Sequence, residues 1–254
     1  MSLVGIIPAR MGSSRFPGKP MEKIHGIPMV GHCFYRTAAA LGVDNTYVAT
    51  CDQEIYDYIT SINGNAIMTS DKHTRASTRT YEALKIVESH TGKRIDIVIM
   101  VQGDEPLIKP KVIKEALLCF EDNSINIVNI MSLLKSVELF RDKNNVKVVV
   151  DKNYNALYYS REPIPSSYNL QEYVPGYMQT GIIAFRRGAL LEFNSMSETR
   201  LENIESVDMN RVLENGGDIR MVLTDQETIG VDTPNELLIA EKMLVGDSIL
   251  RDYL

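Results

Sequence analysis

Short apolar runs alternate with stretches of helical spacing along the first half of this 254-residue chain. The clearest run, residues 95–101, is rich in β-branched side chains and almost continuous, which is typical of a strand buried on both faces. Strands that alternate with helices in this way form βαβ crossovers and a mainly parallel sheet. The sequence therefore predicts an α/β fold, and the length allows one large domain over residues 1–254.

The pattern changes near residue 125, where strand-like runs become dominant. The predicted strands are 3–7, 45–50, 66–68, 95–101, 125–133, 146–150, 156–160 and 177–185, and the predicted helices are 29–41, 53–62, 77–91, 202–214 and 235–243. Residues 163–175 contain three prolines and few aliphatic side chains, which indicates an exposed excursion. We expect a small mixed lid or dimerisation subdomain at about 125–190. Five tyrosines there have a composition that suits an interface: Tyr158, Tyr159, Tyr168, Tyr173 and Tyr177.

The first apolar run breaks into a loop that carries three cations, Arg10, Arg15 and Lys19, among glycine and proline residues. Small residues let backbone amides approach an anion closely, and the cations neutralise its charge, so the loop suits a polyphosphate. A solvated basic turn is the alternative. The loop lacks the spacing of a Walker A motif, and Pro20 stands where a magnesium-binding hydroxyl would follow Lys19. It also lacks the glycine spacing of a dinucleotide site.

Two aspartates follow glycine turns in positions suited to a metal. Asp104 comes directly after the clearest strand, and Asp232 precedes Thr233 and Pro234 at the start of the last predicted helix. Residues beyond the carboxyl end of a parallel strand face the ligand crevice, and two carboxylates there would hold Mg²⁺. The alternatives are a turn or capping role for Asp104 and an N-cap role for Asp232.

Composition excludes several classes of protein. The formal net charge of -6 argues against a nucleic-acid surface. Three scattered cysteines do not make a disulfide framework or a cysteine metal site, which favours a reducing compartment. Neither a leader nor an apolar run of membrane-spanning length is evident, so we expect a cytoplasmic protein with no membrane partner.

Seven motifs occur in the order found in 3-deoxy-manno-octulosonate cytidylyltransferases (CMP-Kdo synthetases), and the chain resembles that family from Ile6 to beyond Pro234. They are IPARMGSSRFPGKP at 7–20, VAT at 48–50, MTS at 68–70 with His73, VQGDEPLI at 101–108, VKVV at 146–149, ALYYSREPIP at 156–165 and GVDTP at 230–234. The resemblance implies a Rossmann-like nucleotidyltransferase fold of three layers, usually a homodimer. It also implies Mg²⁺-dependent activation of Kdo, or a related acidic sugar, with CTP.

The resemblance also implies the site residues. CTP would be bound by Pro8, Ala9, Arg10, Ser13, Lys19, Thr50, Met68 and Ser70. The sugar acid would be bound by Arg15, His73, Gln102, Arg161, Gln179 and Glu202, although Arg161 could also be an ordinary surface cation. Lys19, Asp104 and Asp232 would carry the catalysis, with both aspartates as Mg²⁺ ligands.

The chain departs from the family pattern in places that the resemblance puts at or near the sugar. Where typical members read His-x-Ser-Gly-Thr-Asp/Glu-Arg, this chain has Arg75 in place of the small hydroxyl residue and Thr78 in place of the acid. A His-Leu-Gly-Ile-Tyr pattern is replaced by a run from Gln179 to Ile183, and Met209 lies in a third altered run. We expect an altered sugar preference, with neutral drift around an unchanged Kdo pocket as the alternative.

Two other functions remain open at this point. A glycosyltransferase that consumes a nucleotide sugar generally has an Asp-x-Asp metal motif, whereas this chain has Gly103-Asp104-Glu105. A catalytically silent nucleotide-binding protein is disfavoured because Lys19 and both aspartates are present.

Overall fold

The computed structural model describes residues 1–13, 15–166, 175–226 and 229–253. Its strands, numbered along the chain, are β1 (Leu3–Pro8), β2 (Lys23–Ile24), β3 (Ile27–Pro28), β4 (Thr46–Thr50), β5 (Asn65–Met68), β6 (Ile97–Val101), β7 (Ile127–Leu133), β8 (Lys147–Val150), β9 (Ala156–Ser160), β10 (Tyr177–Arg186) and β11 (Arg220–Thr224). The α-helices are α1 (Met29–Leu41), α2 (Gln53–Ser61), α3 (Ala76–Thr91), α4 (Pro110–Leu118), α5 (Val137–Arg141), α6 (Arg187–Ser195), α7 (Arg200–Glu205), α8 (Asn210–Glu214) and α9 (Pro234–Met243).

The chain divides into two compact units, one formed by Met1–Lys114 with Thr228–Leu254 and the other by Glu115–Glu227. The second unit contains the interval 125–190 but begins before it and ends after it. Whether that interval acts as a lid or in dimerisation stays a prediction. Part of the Pro-rich excursion, with Tyr168 and Tyr173, lies outside the described residues.

In the first unit, β6, β1, β4 and β5 lie side by side in that order and are all parallel. Every residue of β6 is buried, as the β-branched run predicts. Helix α1 packs tightly on β1: a Cβ added at Gly5 would lie only 2.7 Å from a side-chain carbon of Leu41, so this position has no room for a side chain. Apolar burial on both faces of the strands therefore fixes this sheet.

Because these strands are parallel, the loops that follow them leave from one edge of the sheet. Backbone hydrogen bonds hold these loops together just beyond the strand ends: Ala9 donates to Ala49 at 2.9 Å, and Thr69 donates to Thr50 at 2.8 Å. The glycine after β6 lies against the end of β1, where a Cβ at Gly103 would be 3.1 Å from the carbonyl oxygen of Pro8. The cationic loop and the Asp104 turn thus start from neighbouring strands.

A buried cluster under α9 supports the two aspartate turns. It contains Ile24, Met29, Leu107, Val231, Ala240, Leu244 and Leu250. The fully buried Arg36 lies nearby and donates to the carbonyl of Ile108, to a carboxylate oxygen of Asp247 and to the hydroxyl of Tyr253. The C-terminal residues therefore stabilise the segment that follows Asp104.

The second unit has a mixed sheet. Strand β7 pairs antiparallel with β10 and parallel with β11, and β8 pairs antiparallel with both β10 and β9. The helix predicted at 202–214 is two helices, α7 and α8, because Ser206 adopts a left-handed conformation with φ of 53°. Tyr159 is fully buried in this unit. The suggestion that Tyr159 belongs to an interface is therefore wrong.

Within the described residues, none of the helices combines the length and the apolar character needed to cross a membrane.

Candidate functional site

Lys19 joins both predicted metal carboxylates in the first unit. Its Nζ lies 2.7 Å from Asp104 Oδ2, 2.8 Å from Asp232 Oδ1 and 2.9 Å from the carbonyl oxygen of Val231. The side chain is 12% exposed and each carboxylate is 22% exposed. The three residues that the sequence assigns to catalysis thus form one partly buried cluster.

Local backbone structure delivers these side chains. Gly18, with φ of 76°, precedes the short 3₁₀ turn Lys19–Met21 and allows the reversal before Lys19. The N-cap of α9 is Thr233, whose hydroxyl accepts from the amide of Glu236 at 3.3 Å, and Pro234 occupies the first turn. Asp232 is therefore not the N-cap, and its carboxylate faces the cations of the loop instead.

The charges within the cluster balance. Arg15 donates to the second oxygen of Asp232 at 2.8 Å, so Arg15 and Lys19 both contact this carboxylate. Burial acts to lower the pKa of Lys19, but attraction to Asp104 and Asp232 outweighs it, and the pKa lies above its ordinary value. Lys19 is therefore a stable cation in the folded chain at neutral pH.

The donor set of this cluster fits Mg²⁺. Asp104, Asp232 and the Val231 carbonyl offer only oxygen atoms, which are the ligands that this hard cation requires. Among the described residues, no group of three or more His, Cys, Asp or Glu side chains forms a metal cage. A pair of carboxylates that leaves further positions to water and phosphate is the arrangement that Mg²⁺ commonly takes with nucleotides.

The rest of the cationic loop lies over the ends of β1 and β4. The Met11 amide donates to Asp52 at 2.8 Å, and the hydroxyl of Ser13 accepts from the Phe16 amide at 3.3 Å. Arg10 is exposed and donates to the carbonyl of His73 at 3.3 Å. Sequence reasoning missed Asp52, whose role is to fix the loop through its backbone.

The other residues predicted to bind CTP lie at neighbouring strand ends. Ala9 and Thr50 are buried where β1 and β4 end, and Pro8 is the last residue of β1. Met68 ends β5 with 43% of its surface exposed, and the Ser70 amide donates to Glu82 at 2.9 Å. Their common edge is consistent with a base-binding site, although their contact with CTP stays a prediction.

The ring of His73 is held by two side chains of helix α3. Its Nδ1 lies 3.0 Å from the Thr78 hydroxyl, and its Nε2 pairs with Glu82. Burial acts to raise the pKa of Glu82, but the hydrogen bonds from Ser70 and His73 outweigh it and lower that pKa. Glu82, which sequence reasoning did not single out, thus links the Ser70 turn to His73.

Gln102 is half-buried after β6, and its carbonyl accepts from the Glu105 amide at 3.2 Å.

In the second unit, Arg161 contacts backbone carbonyls. Its Nε donates to Glu205 at 2.7 Å, and one terminal nitrogen donates to Lys143 at 2.9 Å. The Glu205 carboxylate in turn accepts from the Arg161 amide, the Ser160 hydroxyl and the Tyr158 hydroxyl, each at 2.8 Å. The guanidinium is therefore held by a scaffold, and its role toward a sugar carboxylate stays a prediction.

The ammonium group of Lys147 binds the backbone of its own unit and has no donor left for a substrate. This lysine of the VKVV motif is fully buried, and its Nζ donates to the carbonyls of Asp142, Asn145 and Arg161. An ammonium group has three donors, and all of them are used here. Lys147 therefore fixes the loop before β8 against the end of β9.

Gln179 and Glu202 differ in what they offer a ligand. The Oε1 atom of Gln179 is buried and accepts no hydrogen bond from the described residues. Glu202 is 0% exposed, and both of its oxygens accept from Arg211, at 2.7 and 2.5 Å. The assignment of Glu202 to the sugar is corrected accordingly, because a buried carboxylate that is paired in this way is part of the scaffold.

Comparison with known proteins identifies close relatives. A cytidylyltransferase family model matches residues 4–222. The 3-deoxy-manno-octulosonate cytidylyltransferase of Thermodesulfovibrio yellowstonii is 37% identical, covering 96% of this chain and 98% of that protein. The protein of the same name from Geobacter metallireducens is 40% identical, with the same two coverages of 96% and 98%.

Solved structures agree. A CMP:2-keto-3-deoxy-manno-octonic acid synthetase complexed with CTP is 32% identical with a TM-score of 0.87, covering 97% of this chain and 100% of that one. A putative glucose-1-phosphate thymidylyltransferase from Bacillus anthracis, in complex with a sucrose, shares the fold alone at 14% identity, with a TM-score of 0.70 and coverage of 95% of both chains. These similarities confirm the resemblance drawn from the motifs and the predicted nucleotidyltransferase fold.

Proposed function

Because the chain belongs to the cytidylyltransferase family, we propose that it activates a 3-deoxy-2-ulosonic sugar acid, Kdo or a modified relative, with CTP and Mg²⁺. The products are the CMP-sugar and pyrophosphate. The observation that carries this proposal is the contact of Lys19 with both Asp104 and Asp232. This contact brings a cation of the cationic loop and two potential metal ligands to one place. The names of relatives at 37% and 40% identity support the choice of sugar.

The reaction needs positioning and charge neutralisation more than covalent help. A hydroxyl of the sugar acid gives its proton to solvent and attacks the α-phosphorus of CTP, and the bond from that phosphorus to the β-phosphate oxygen breaks as pyrophosphate leaves. Lys19 and Arg10 donate to the phosphates and stabilise the negative charge that grows on the leaving group. Mg²⁺ held by Asp104 and Asp232 would supply further neutralisation of phosphate charge.

We propose that the acidic sugar is recognised by Arg15, His73, Gln102, Arg161 and Gln179. Arg161 brings a positive charge that suits the carboxylate of the sugar, and Gln179 offers an acceptor that has no partner among the described residues.

Pyrophosphate release tests the proposal. We expect release when CTP, Mg²⁺ and a sugar acid from a panel of Kdo and its relatives are all present, and none when any one of them is omitted. Absence of release across the panel would refute the activity. Transfer from a nucleotide sugar without pyrophosphate would support a glycosyltransferase, and CTP binding without turnover would support a silent nucleotide-binding protein.

We also propose that the protein works in the cytoplasm as a homodimer, through the segment between about 150 and 190. Tyr158 and Tyr177 are partly exposed there, and Leu157 is 61% exposed. Sedimentation that detects only monomer at micromolar concentration would rule out the dimer.

A further inference from the structure

We propose that Lys19 acts as a tethered substitute for the divalent cation: it occupies the Asp104–Asp232 pair until a polyphosphate draws it away. A divalent cation would then bind this pair strongly only together with the nucleotide. The inference deepens the proposed function and takes from it the identity of the nucleotide. Its test measures metal binding and needs neither a sugar acid nor turnover.

The hydrogen bonds of Lys19 leave no donor for a phosphate. An ammonium group has three N–H donors, and the three acceptors at 2.7–2.9 Å are Asp104 Oδ2, Asp232 Oδ1 and the Val231 carbonyl. All of these acceptors are oxygen atoms, which are also the ligands that Mg²⁺ takes. Lys19 must therefore leave at least one of these oxygens before it can bind a phosphate.

The balance of charge points the same way. Two carboxylates, Asp104 and Asp232, face two cations, Lys19 and Arg15, so their formal charges sum to zero. A divalent cation that entered alone would leave two excess positive charges in a partly buried place. A metal that arrives with a polyphosphate avoids this excess, because the phosphates become partners of Lys19 and Arg15 while the aspartates become partners of the metal.

The tether makes Lys19 an effective competitor. Because the ammonium is attached to the same chain, it competes at a high effective concentration that dilution does not lower. Since binding free energies are reciprocal, a nucleotide that removes Lys19 raises metal affinity by the same factor by which the metal raises nucleotide affinity. Metal and nucleotide are therefore expected to bind cooperatively even without a sugar acid.

Binding of Mn²⁺ alone to the purified full chain, measured by electron paramagnetic resonance, tests the competition. Lys19→Met removes the ammonium, and we expect Mn²⁺ affinity to rise at least about tenfold over wild type. Lys19→Arg keeps a cation with a fork that suits both carboxylates, and its affinity should stay within about twofold of wild type. Lys23→Met is the matched control, an exposed lysine with the same change in charge, and should also leave affinity unchanged.

An unchanged or weaker Mn²⁺ affinity in folded Lys19→Met would overturn the proposal, and so would an equal gain in Lys23→Met. Wild-type protein supplies a measurement that does not depend on the folding of a variant. Crystals soaked with Mn²⁺ should show anomalous density between Asp104 and Asp232 only when CTP is also present; density with Mn²⁺ alone would contradict the inference. A chain that released no pyrophosphate would refute the proposed activity without altering either result.

Discussion

The backbone amide of Val231 donates a 2.9 Å hydrogen bond to the carbonyl oxygen of Asp104, which ties the two aspartate turns to each other. The two turns lie more than a hundred residues apart in the chain, one after β6 and the other before α9. Because this bond is made by backbone atoms, substitution of either carboxylate leaves it in place. The carboxylates can therefore be tested without dismantling the turns that carry them.

Asp104→Asn and Asp232→Asn should each lower kcat by about a hundredfold or more, since a lost metal carboxylate removes several kcal/mol of charge neutralisation. Circular dichroism should remain that of wild type. The measurement is pyrophosphate release over a range of Mg²⁺ concentrations. Asp44→Asn, at an exposed aspartate of the first unit, is the control. Near-normal turnover of either variant at limiting Mg²⁺ would refute the metal assignment.

Lys19→Ala should weaken CTP binding and lower kcat, because it removes a cation that the reaction uses on the phosphates. Arg10 and the backbone amides of the loop would remain, so the loss should be incomplete, on the order of ten- to a hundredfold in kcat/KM for CTP. Steady-state kinetics with saturating sugar acid measure it. If Lys23→Ala lost as much activity as Lys19→Ala, general charge and not the cluster would be responsible.

The elements that position the first unit's site were predictable, because their signal is local. The helix predicted at 29–41 has the same bounds as α1, and the run at 95–101 contains β6. The sequence did not reveal β11 or α6, which are too short and too mixed to show a clear period. The break at Ser206 was missed because a left-handed serine has no sequence signal comparable to glycine.

Side-chain partners were harder to predict than elements. Lys147 alternates within a strand, and the pattern cannot show that three backbone carbonyls converge on its ammonium. Glu202 matched a family position, but its burial depends on Arg211, nine residues later on another helix. Asp232 and Thr233 are both good N-cap residues, and only the observed hydrogen bond shows that Thr233 is the cap.

Glu202→Gln should lower the free energy of unfolding by about 3–5 kcal/mol, because it leaves the buried Arg211 without its ionic partner. Urea unfolding measures the change, and Glu198→Gln, at an exposed position of the same unit, should have little effect. A stable Glu202→Gln variant with a raised KM for the sugar acid would restore Glu202 to the sugar site.

Stability should fall in mild acid because of His32, which is buried between the Ile24 carbonyl and the Tyr253 hydroxyl. Burial, and to a smaller extent the charge of Arg36, lowers the pKa of His32 below 6.5. As the pH falls below 6.5, His32 takes up a proton in the unfolded chain but stays neutral in the folded chain. The free energy of unfolding therefore decreases until the pH reaches the pKa of His32 in the folded chain.

Urea unfolding at a series of pH values from neutral to mildly acidic would show this decrease. His32→Gln should flatten the dependence, whereas His90→Gln, at an exposed histidine near the end of α3, should not. An identical slope in wild type and His32→Gln would contradict the assignment.

The preferred sugar should differ from that of typical relatives, because Gln179 and Thr78 replace family residues while Lys19, Asp104 and Asp232 are retained. Gln179 presents a buried acceptor with no partner among the described residues, and Thr78 contacts His73 where an acid would stand. A polar site discriminates strongly between substrates, since a buried polar group left without a partner is costly.

We expect CTP use to be retained and kcat/KM to favour a modified sugar acid over Kdo. Gln179→His, which restores the family residue, should shift that ratio toward Kdo by about tenfold or more. Parallel kcat/KM measurements with Kdo and its amino-modified relatives decide the matter, and an efficient preference of the wild type for plain Kdo would show that these replacements are neutral.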